Sequence, residues 1–151
     1  MVARAGTGMK RVLFLCTHNS ARSQMAEALL RQAAAGRFAV ESAGTEPDAL
    51  HPLAVRAMAE QGVDISSQRS KDVRRFVEDQ FDYLITVCDD ARERCPIFPG
   101  TRRQLHWSLP DPSAARGSEA ERLAAFRDVR DRLASLISEF LLEQRDDQNR
   151  L

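Results

Sequence analysis

The strongest constraint on the fold is an unbroken apolar run, Val12-Leu13-Phe14-Leu15, which passes at Cys16 into a loop of small and polar residues and then into a helical segment. A run without polar alternation suits a strand buried on both faces, as in a parallel sheet. Parallel strands need crossover connections, and the chain supplies helices for them. Strands are predicted over residues 11–15, 38–42, 81–87 and 103–107, with helices over 23–35, 52–61 and 72–78. Pro52 suits a first helical position, and Gly36 and Gly62 suit the ends. Ser118-Glu119-Ala120-Glu121 reads as a capping box. It opens the longest helix, with Leu123, Phe126, Val129, Leu133, Leu136, Ile137 and Phe140 on one face. Strands alternating with helices define a three-layer, doubly wound α/β domain with a parallel sheet of about four strands. The whole chain, residues 1–151, reads as one domain, with a flexible leader at 1–9 and a polar, frayed tail at 144–151.

The loop Cys16-Thr17-His18-Asn19-Ser20-Ala21-Arg22-Ser23 has the form of an oxyanion site. Small residues let backbone N–H groups turn inward, and the start of a helix adds partial positive charge. Arg22 carries a forked guanidinium that can hold two oxygens of a tetrahedral anion. Cys16, at the strand end, is expected to ionise more easily there than a free thiol and to act as a nucleophile. A buried Cys behaving as a small hydrophobe is the alternative, and the neighbouring Arg and hydroxyls of Thr17, Ser20 and Ser23 weigh against it.

Charge narrows the partners. The 22 basic and 22 acidic side chains cancel, which leaves no footprint for nucleic acid or an anionic membrane surface. No apolar run approaches a membrane span, and the first residues lack a signal-peptide pattern. A cytoplasmic protein without a cofactor is expected. Three cysteines, an odd number, argue against a secreted disulfide framework and for thiols in a reducing compartment.

Cys88 closes the predicted third strand, so Cys16 and Cys88 fall at the same edge of the sheet, where doubly wound folds bind their ligands. Cys95 follows seven residues later, before Pro96. Were the residues between them helical, the two sulphurs would stand about 10 Å apart along the axis. A disulfide needs Cα atoms within about 7 Å, so bonding requires the segment to unwind. Two unconnected thiols, or a metal site, are the alternatives; the spacing, with no matching His pair, fits zinc poorly, and no metal is expected. Asp111-Pro112 lies in a loop before the last helix. Its carboxyl is either a turn-former or a proton donor over the anion site. His51 and His106 read as turn or strand-end residues.

Cys-Thr-x-Asn-Ser-x-Arg-Ser-Gln-Met-Ala-Glu, from Cys16 to Glu27, resembles the loop of the low-molecular-weight tyrosine phosphatases, and within them the thioredoxin-coupled arsenate-reductase branch. That branch pairs a loop cysteine with a later cysteine pair followed by Pro, matched here by Cys16, Cys88, Cys95 and Pro96. The resemblance spans about residues 10–142. It implies that arsenate is bound by Thr17, His18, Asn19, Ser20, Ala21, Arg22 and Ser23. It also implies that Cys16 attacks arsenic, that Asp111 serves as the acid, and that Cys88 and Cys95 end as the product disulfide, which thioredoxin reduces. Phosphate or sulfate would be substrate analogues, and the chain would act as a monomer in arsenic resistance. Ser23 is expected to donate to the Cys16 thiolate and Asn19 to brace the loop. Relatives that bind potassium do so through positions matching Asn19, Glu27 and Ser42 plus an acidic residue. Here that last position is Lys71, whose ammonium would replace the cation. His18 stands where many relatives have Gly, and Ala21 where some have Cys. Ser113 and Ala114 follow Asp-Pro where many phosphatases place an aromatic residue, which favours a small inorganic oxyanion over phosphotyrosine. The rival readings are a phosphatase of small or tyrosine phosphoesters, a non-catalytic oxyanion or redox sensor, and a reductase recycled by mycothiol or glutaredoxin.

Overall fold

The first strand, β1 (Lys10–Cys16), runs through the centre of the molecule with Val12, Leu13, Phe14 and Leu15 wholly buried. The computed structural model describes residues 9–96 and 98–149. Residues 1–8, most of the predicted leader, and residues 150 and 151 lie outside the described residues. The other strands are β2 (Phe38–Gly44), β3 (Tyr83–Thr86) and β4 (Arg103–His106). All pair in parallel in the order β2-β1-β3-β4, with Cys16 opposite Gly44 and Leu15 opposite Thr86. The helices are α1 (Arg22–Ala34), α2 (Pro52–Ala59), α3 (Asp89–Arg94) and α4 (Glu119–Asn149). The expected doubly wound α/β domain is therefore present.

The elements follow from local chemistry. α1 ends where Ala35 turns left-handed before Gly36. The capping box of α4 forms in both directions: Glu121 N–H donates to Ser118 Oγ, and Ser118 N–H donates to Glu121 Oε1. α4 packs against α1 and α2 and buries Leu123, Phe126, Val129, Leu133, Ile137 and Phe140. At ~25 cal/mol per Å² of apolar surface, each such side chain adds about 1.5–3 kcal/mol, so this face dominates the helix's attachment.

Several boundaries differ from the sequence expectation, β2 by running on to Gly44 and α2 by stopping at Ala59, and three further differences have a visible cause. The third strand is shorter, because Asp82 turns its carboxylate onto the Arg11 N–H at 2.7 Å and Phe81 packs against Phe76 and Phe98. Residues 72–78 form only a 3₁₀ turn, Val73–Phe76, capped by Asp72. The predicted frayed tail is instead helical as far as Asn149. Gln144 is buried and accepts a hydrogen bond from the Tyr83 hydroxyl, a long-range partner that a polar composition conceals.

Topology positions the site. β1 leads to β2 on one side, whereas β3 and β4 lie on the other. The strand order reverses between β1 and β3, and ligands in such sheets bind beyond the strand ends at that point. Cys16 ends β1 there, and Cys88 lies just past β3.

Candidate active site

The loop from Cys16 to Ala21 is held from outside by its own carbonyls. Thr45 N–H donates to Cys16 O, Glu46 N–H to Thr17 O, Asp48 N–H to His18 O and His51 N–H to Ser20 O. The Asn19 carbonyl accepts from Ser70 Oγ and Gln24 Nε2. With the carbonyls engaged outward, the amide side of the loop faces the sulphur, and Asn19 N–H donates to Cys16 Sγ at 3.2 Å. Asn19 takes a left-handed φ of 51°, which Asn tolerates better than most residues. The buried Asn19 side chain then braces the turn. Its Nδ2 donates to Ser23 Oγ (2.7 Å) and Ser42 Oγ (3.0 Å), and its Oδ1 accepts from Lys71 N–H and Gln24 Nε2.

Ser23 Oγ already accepts from Asn19, so its own proton is free for Cys16 Sγ, 2.7 Å away. Ser23 thus serves the sulphur rather than capping α1. Ser42 repeats the logic, accepting from Asn19 and donating to Glu27 Oε1 at 2.5 Å. Glu27, itself buried, is met by Arg31 at 2.8 Å and by the Lys71 ammonium at 3.5 Å. Among the described residues, no group of three or more His, Cys, Asp or Glu side chains is placed to hold a metal ion.

One expectation is corrected. Burial pushes the Cys16 thiol up from its ordinary value, against the lowering by the Ser23 hydrogen bonds and the Arg22 charge. The sulphur is wholly desolvated beneath its loop, and this outweighs the favourable field.

Arg22 Nη1 donates to the Leu109 carbonyl at 3.0 Å, which ties the anion loop to the segment carrying Asp111. Asp111 is in electrostatic reach of Arg22 and His18. Burial pushes its carboxyl up, but hydrogen bonds from Ser113 and those two charges hold it below the ordinary carboxylate range. Asp111 is thus the turn-former, with Ser113 N–H and Oγ donating to its Oδ1, and its charge reaches the loop through Arg22 and His18. His18 is exposed, with Nδ1 2.9 Å from Glu46 O.

Cys88 is buried at the N-terminus of α3. Its Sγ accepts from Ala91 N–H at 3.4 Å and lies 3.4 Å from Thr17 Oγ1, beside the residue after Cys16. Thr17 Oγ1 donates to Asp90 Oδ2 at 2.8 Å, and Arg94 at the far end of α3 pairs with Glu46. Cys95 lies beyond α3, half-buried, with its thiol donating to Pro96 O at 3.3 Å. Burial pushes it up to about 11. Cys16 and Cys88 are thus brought to one edge, while Cys95 stands apart across a wound helix, and all three are free thiols. A cleft of about 390 Å³ borders Cys95, lined also by Leu84, Arg92 and Phe98. Tyr83 and Trp107 face the interior, against Phe140, and build no aromatic wall at the loop.

Sequence reasoning missed Gly44. A Cβ there would meet Thr17 O at 2.6 Å and Asn19 N at 2.9 Å, so the end of β2 must be glycine for the loop to sit on it. It also missed the contacts of Ser70 and Gln24, which join the loop from distant or buried positions. The Ala-Gly ahead of the Pro47 turn was the available signal.

A model of the low molecular weight phosphotyrosine protein phosphatases matches residues 11–150. An arsenate reductase from Bacillus subtilis (strain 168) is 42% identical over 131 residues, covering 87% of this chain and 94% of its own. A solved arsenate reductase in a phosphate-binding state superposes with a TM-score of 0.77 at 34% identity, covering 89% of this chain and 98% of that one. The thioredoxin-dependent arsenate reductase of Corynebacterium glutamicum gives 0.66 at 32% identity, over 93% of this chain and 66% of its own. The chain belongs to the low-molecular-weight phosphotyrosine protein phosphatase family, and these relatives lie in its arsenate-reducing branch.

Proposed function

We propose that this protein reduces arsenate to arsenite by a relay of three thiols. The observation that carries the reading is the placement of Cys88 Sγ against Thr17, at the rim of the loop that holds Cys16, with Cys95 one short helix away. Arsenate enters the loop, held by backbone N–H groups and Arg22. The Cys16 thiolate attacks arsenic, and one oxygen leaves as water. Asp111, a carboxylate near neutrality, takes a proton from one hydroxyl of the bound dihydrogen arsenate and passes it to the other, departing hydroxyl, which then carries both protons of water. The Cys88 thiolate then attacks the Cys16 sulphur. The S–As bond breaks with its electron pair going to arsenic, which departs as arsenite and leaves a Cys16–Cys88 disulfide. Cys95 attacks Cys88, freeing Cys16, and the Cys88–Cys95 disulfide remains.

A dithiol protein of the thioredoxin class reduces that disulfide; the thioredoxin-dependent relative supports this choice over mycothiol or glutaredoxin. Cycling thiols need a reducing compartment, so the reading places a monomeric enzyme in the cytoplasm, serving arsenic resistance. Cys16, Arg22 and Asp111 alone suffice for hydrolysis of a small phosphoester, which makes phosphatase action a side activity of the same loop.

The test is NADPH oxidation with arsenate, thioredoxin and thioredoxin reductase. The wild type should sustain it, and Cys88→Ser and Cys95→Ser should each lose it. Cys88→Ser should still hydrolyse p-nitrophenyl phosphate. Arsenate-independent traces in the wild type, with p-nitrophenyl phosphate still turned over, would leave a phosphatase.

A further inference from the structure

The helix that must unwind in this relay is tied to the sheet by a side chain the chemistry does not use. His106 ends β4, and both its ring nitrogens are engaged: Nδ1 lies 2.7 Å from Thr86 Oγ1, and Nε2 lies 2.7 Å from Asp89 Oδ1. Thr86 is wholly buried at the end of β3, two residues before Cys88; Asp89 is the first residue of α3, one residue after it. One imidazole therefore grips the chain on both sides of Cys88. Ser108 Oγ donates to the same Asp89 oxygen at 3.2 Å.

The bonding pattern makes this a clamp that holds in either charge state of the ring. Hydrogen bonds from His106 and then Ser108 hold the Asp89 carboxyl below its ordinary range, so it is an acceptor only and Nε2 carries the proton. Thr86 adapts on the other side. Its hydroxyl donates to Nδ1 when the ring is neutral; when the ring is charged it accepts from Nδ1–H and turns its proton toward Leu105 O, 3.4 Å away.

We propose that His106 is a positioning residue for Cys88: by clamping Thr86 to Asp89 it keeps the first turn of α3 wound, presents Cys88 to the Cys16 loop, and keeps Cys95 withdrawn until the clamp opens. The proposal rests on the relay above. A six-residue helix is too short to be stable alone, so its side-chain ties decide how often it opens. Cys95 cannot approach Cys88 to disulfide distance while the turn stays wound.

The experiment compares wild type, His106→Ala, Asp89→Ala and the double variant, all reduced and without arsenate. The alkylation rate of each cysteine with iodoacetamide is read by mass spectrometry. Cys95 should react about tenfold faster in each single variant, the factor one charge-assisted hydrogen bond is worth. The double variant should fall short of the two single effects combined, because both changes break the His106–Asp89 contact, while Asp89→Ala also removes the Ser108 bond and His106→Ala the Thr86 bond. Cys16 alkylation and p-nitrophenyl phosphate hydrolysis should stay at wild-type rates, and arsenate kcat should fall with KM unchanged. Unchanged Cys95 alkylation, or additive effects in the double variant, overturns the clamp. Should an alanine variant loosen the whole fold and expose Cys16 too, His106→Phe decides. It fills the ring's place without either hydrogen bond; faster alkylation of Cys95 alone supports the clamp, and no change refutes it. A wild type that alkylates as predicted but reduces no arsenate would fail the relay and leave the clamp standing.

Discussion

Cys16 carries its reactivity against its own burial. The sulphur is desolvated, and what favours its anion is the Ser23 hydroxyl, kept pointing at it because Asn19 occupies the other side of that oxygen. Ser23→Ala should therefore push the Cys16 thiol still higher. A hydrogen bond to a charged group is worth about 1.5–3 kcal/mol, so arsenate turnover at neutral pH should fall roughly ten- to hundredfold. The pH dependence of Cys16 alkylation checks this: its midpoint should move upward in the variant, and an unmoved midpoint would mean that Ser23 does not serve the sulphur. Gly44 answers to sterics. Gly44→Ala sets a methyl group against two backbone atoms of the loop, which cannot swing aside like a side-chain end. A cost of about 1–3 kcal/mol in stability and a clear loss of turnover are expected, measured by denaturant melts and the coupled NADPH assay. Cys16, Asn19, Arg22 and Ser23 were legible as candidates because the loop is contiguous in sequence; Asp111 by itself read as a turn residue, and only the family resemblance gave it the acid's part. Gly44, Ser70 and Gln24 were not legible, because their contacts join the loop to strands and turns that only the folded chain brings near.

α3 is the element on which the relay turns. It is six residues long, capped by one reacting cysteine and followed by the other. Its ties are side-chain contacts: Asp89 to His106, Asp90 to Thr17 and Arg94 to Glu46. The seven-residue spacing showed that a bond between Cys88 and Cys95 needs an unwound helix; the ties that hold it wound lie 17 to 73 residues away in sequence and could not be read there. Cys95 is correspondingly a poor nucleophile while the helix is intact. Its folded value, raised to about 11 from 9.0, means that burial favours the neutral thiol. The stability this contributes is complete below pH 9 and is lost as the pH rises through about 11. In the resting protein, Cys95 alkylation should thus climb to a midpoint near 11; in protein unfolded in guanidinium it should climb near 9. Equal midpoints would show that α3 does not shelter the thiol. At the other end of the chain, the helix face from Leu123 to Phe140 was plain from its periodicity. The continuation to Asn149 was hidden, because Gln144 earns its place through Tyr83 in β3.

At the scale of the molecule, a parallel sheet whose strand order reverses between β1 and β3 delivers two thiols to one edge, each at a strand end, and leaves the third on the far side of a short helix. The same fold without the later pair would keep Cys16, Arg22 and Asp111, sufficient for esters, and would need an external thiol to resolve an arsenic adduct. Adding Cys88 and Cys95 lets the loop's covalent adduct be resolved by electrons from sulphur. The central claim is therefore about where those electrons end. Reduced protein should be given one equivalent of arsenate without thioredoxin, quenched with acid and alkylated, and its disulfides mapped by peptide mass spectrometry. The account predicts one disulfide, Cys88–Cys95, with Cys16 alkylated, and a Cys16–Cys88 disulfide in the Cys95→Ser variant. All three cysteines alkylated after arsenite has formed would contradict it.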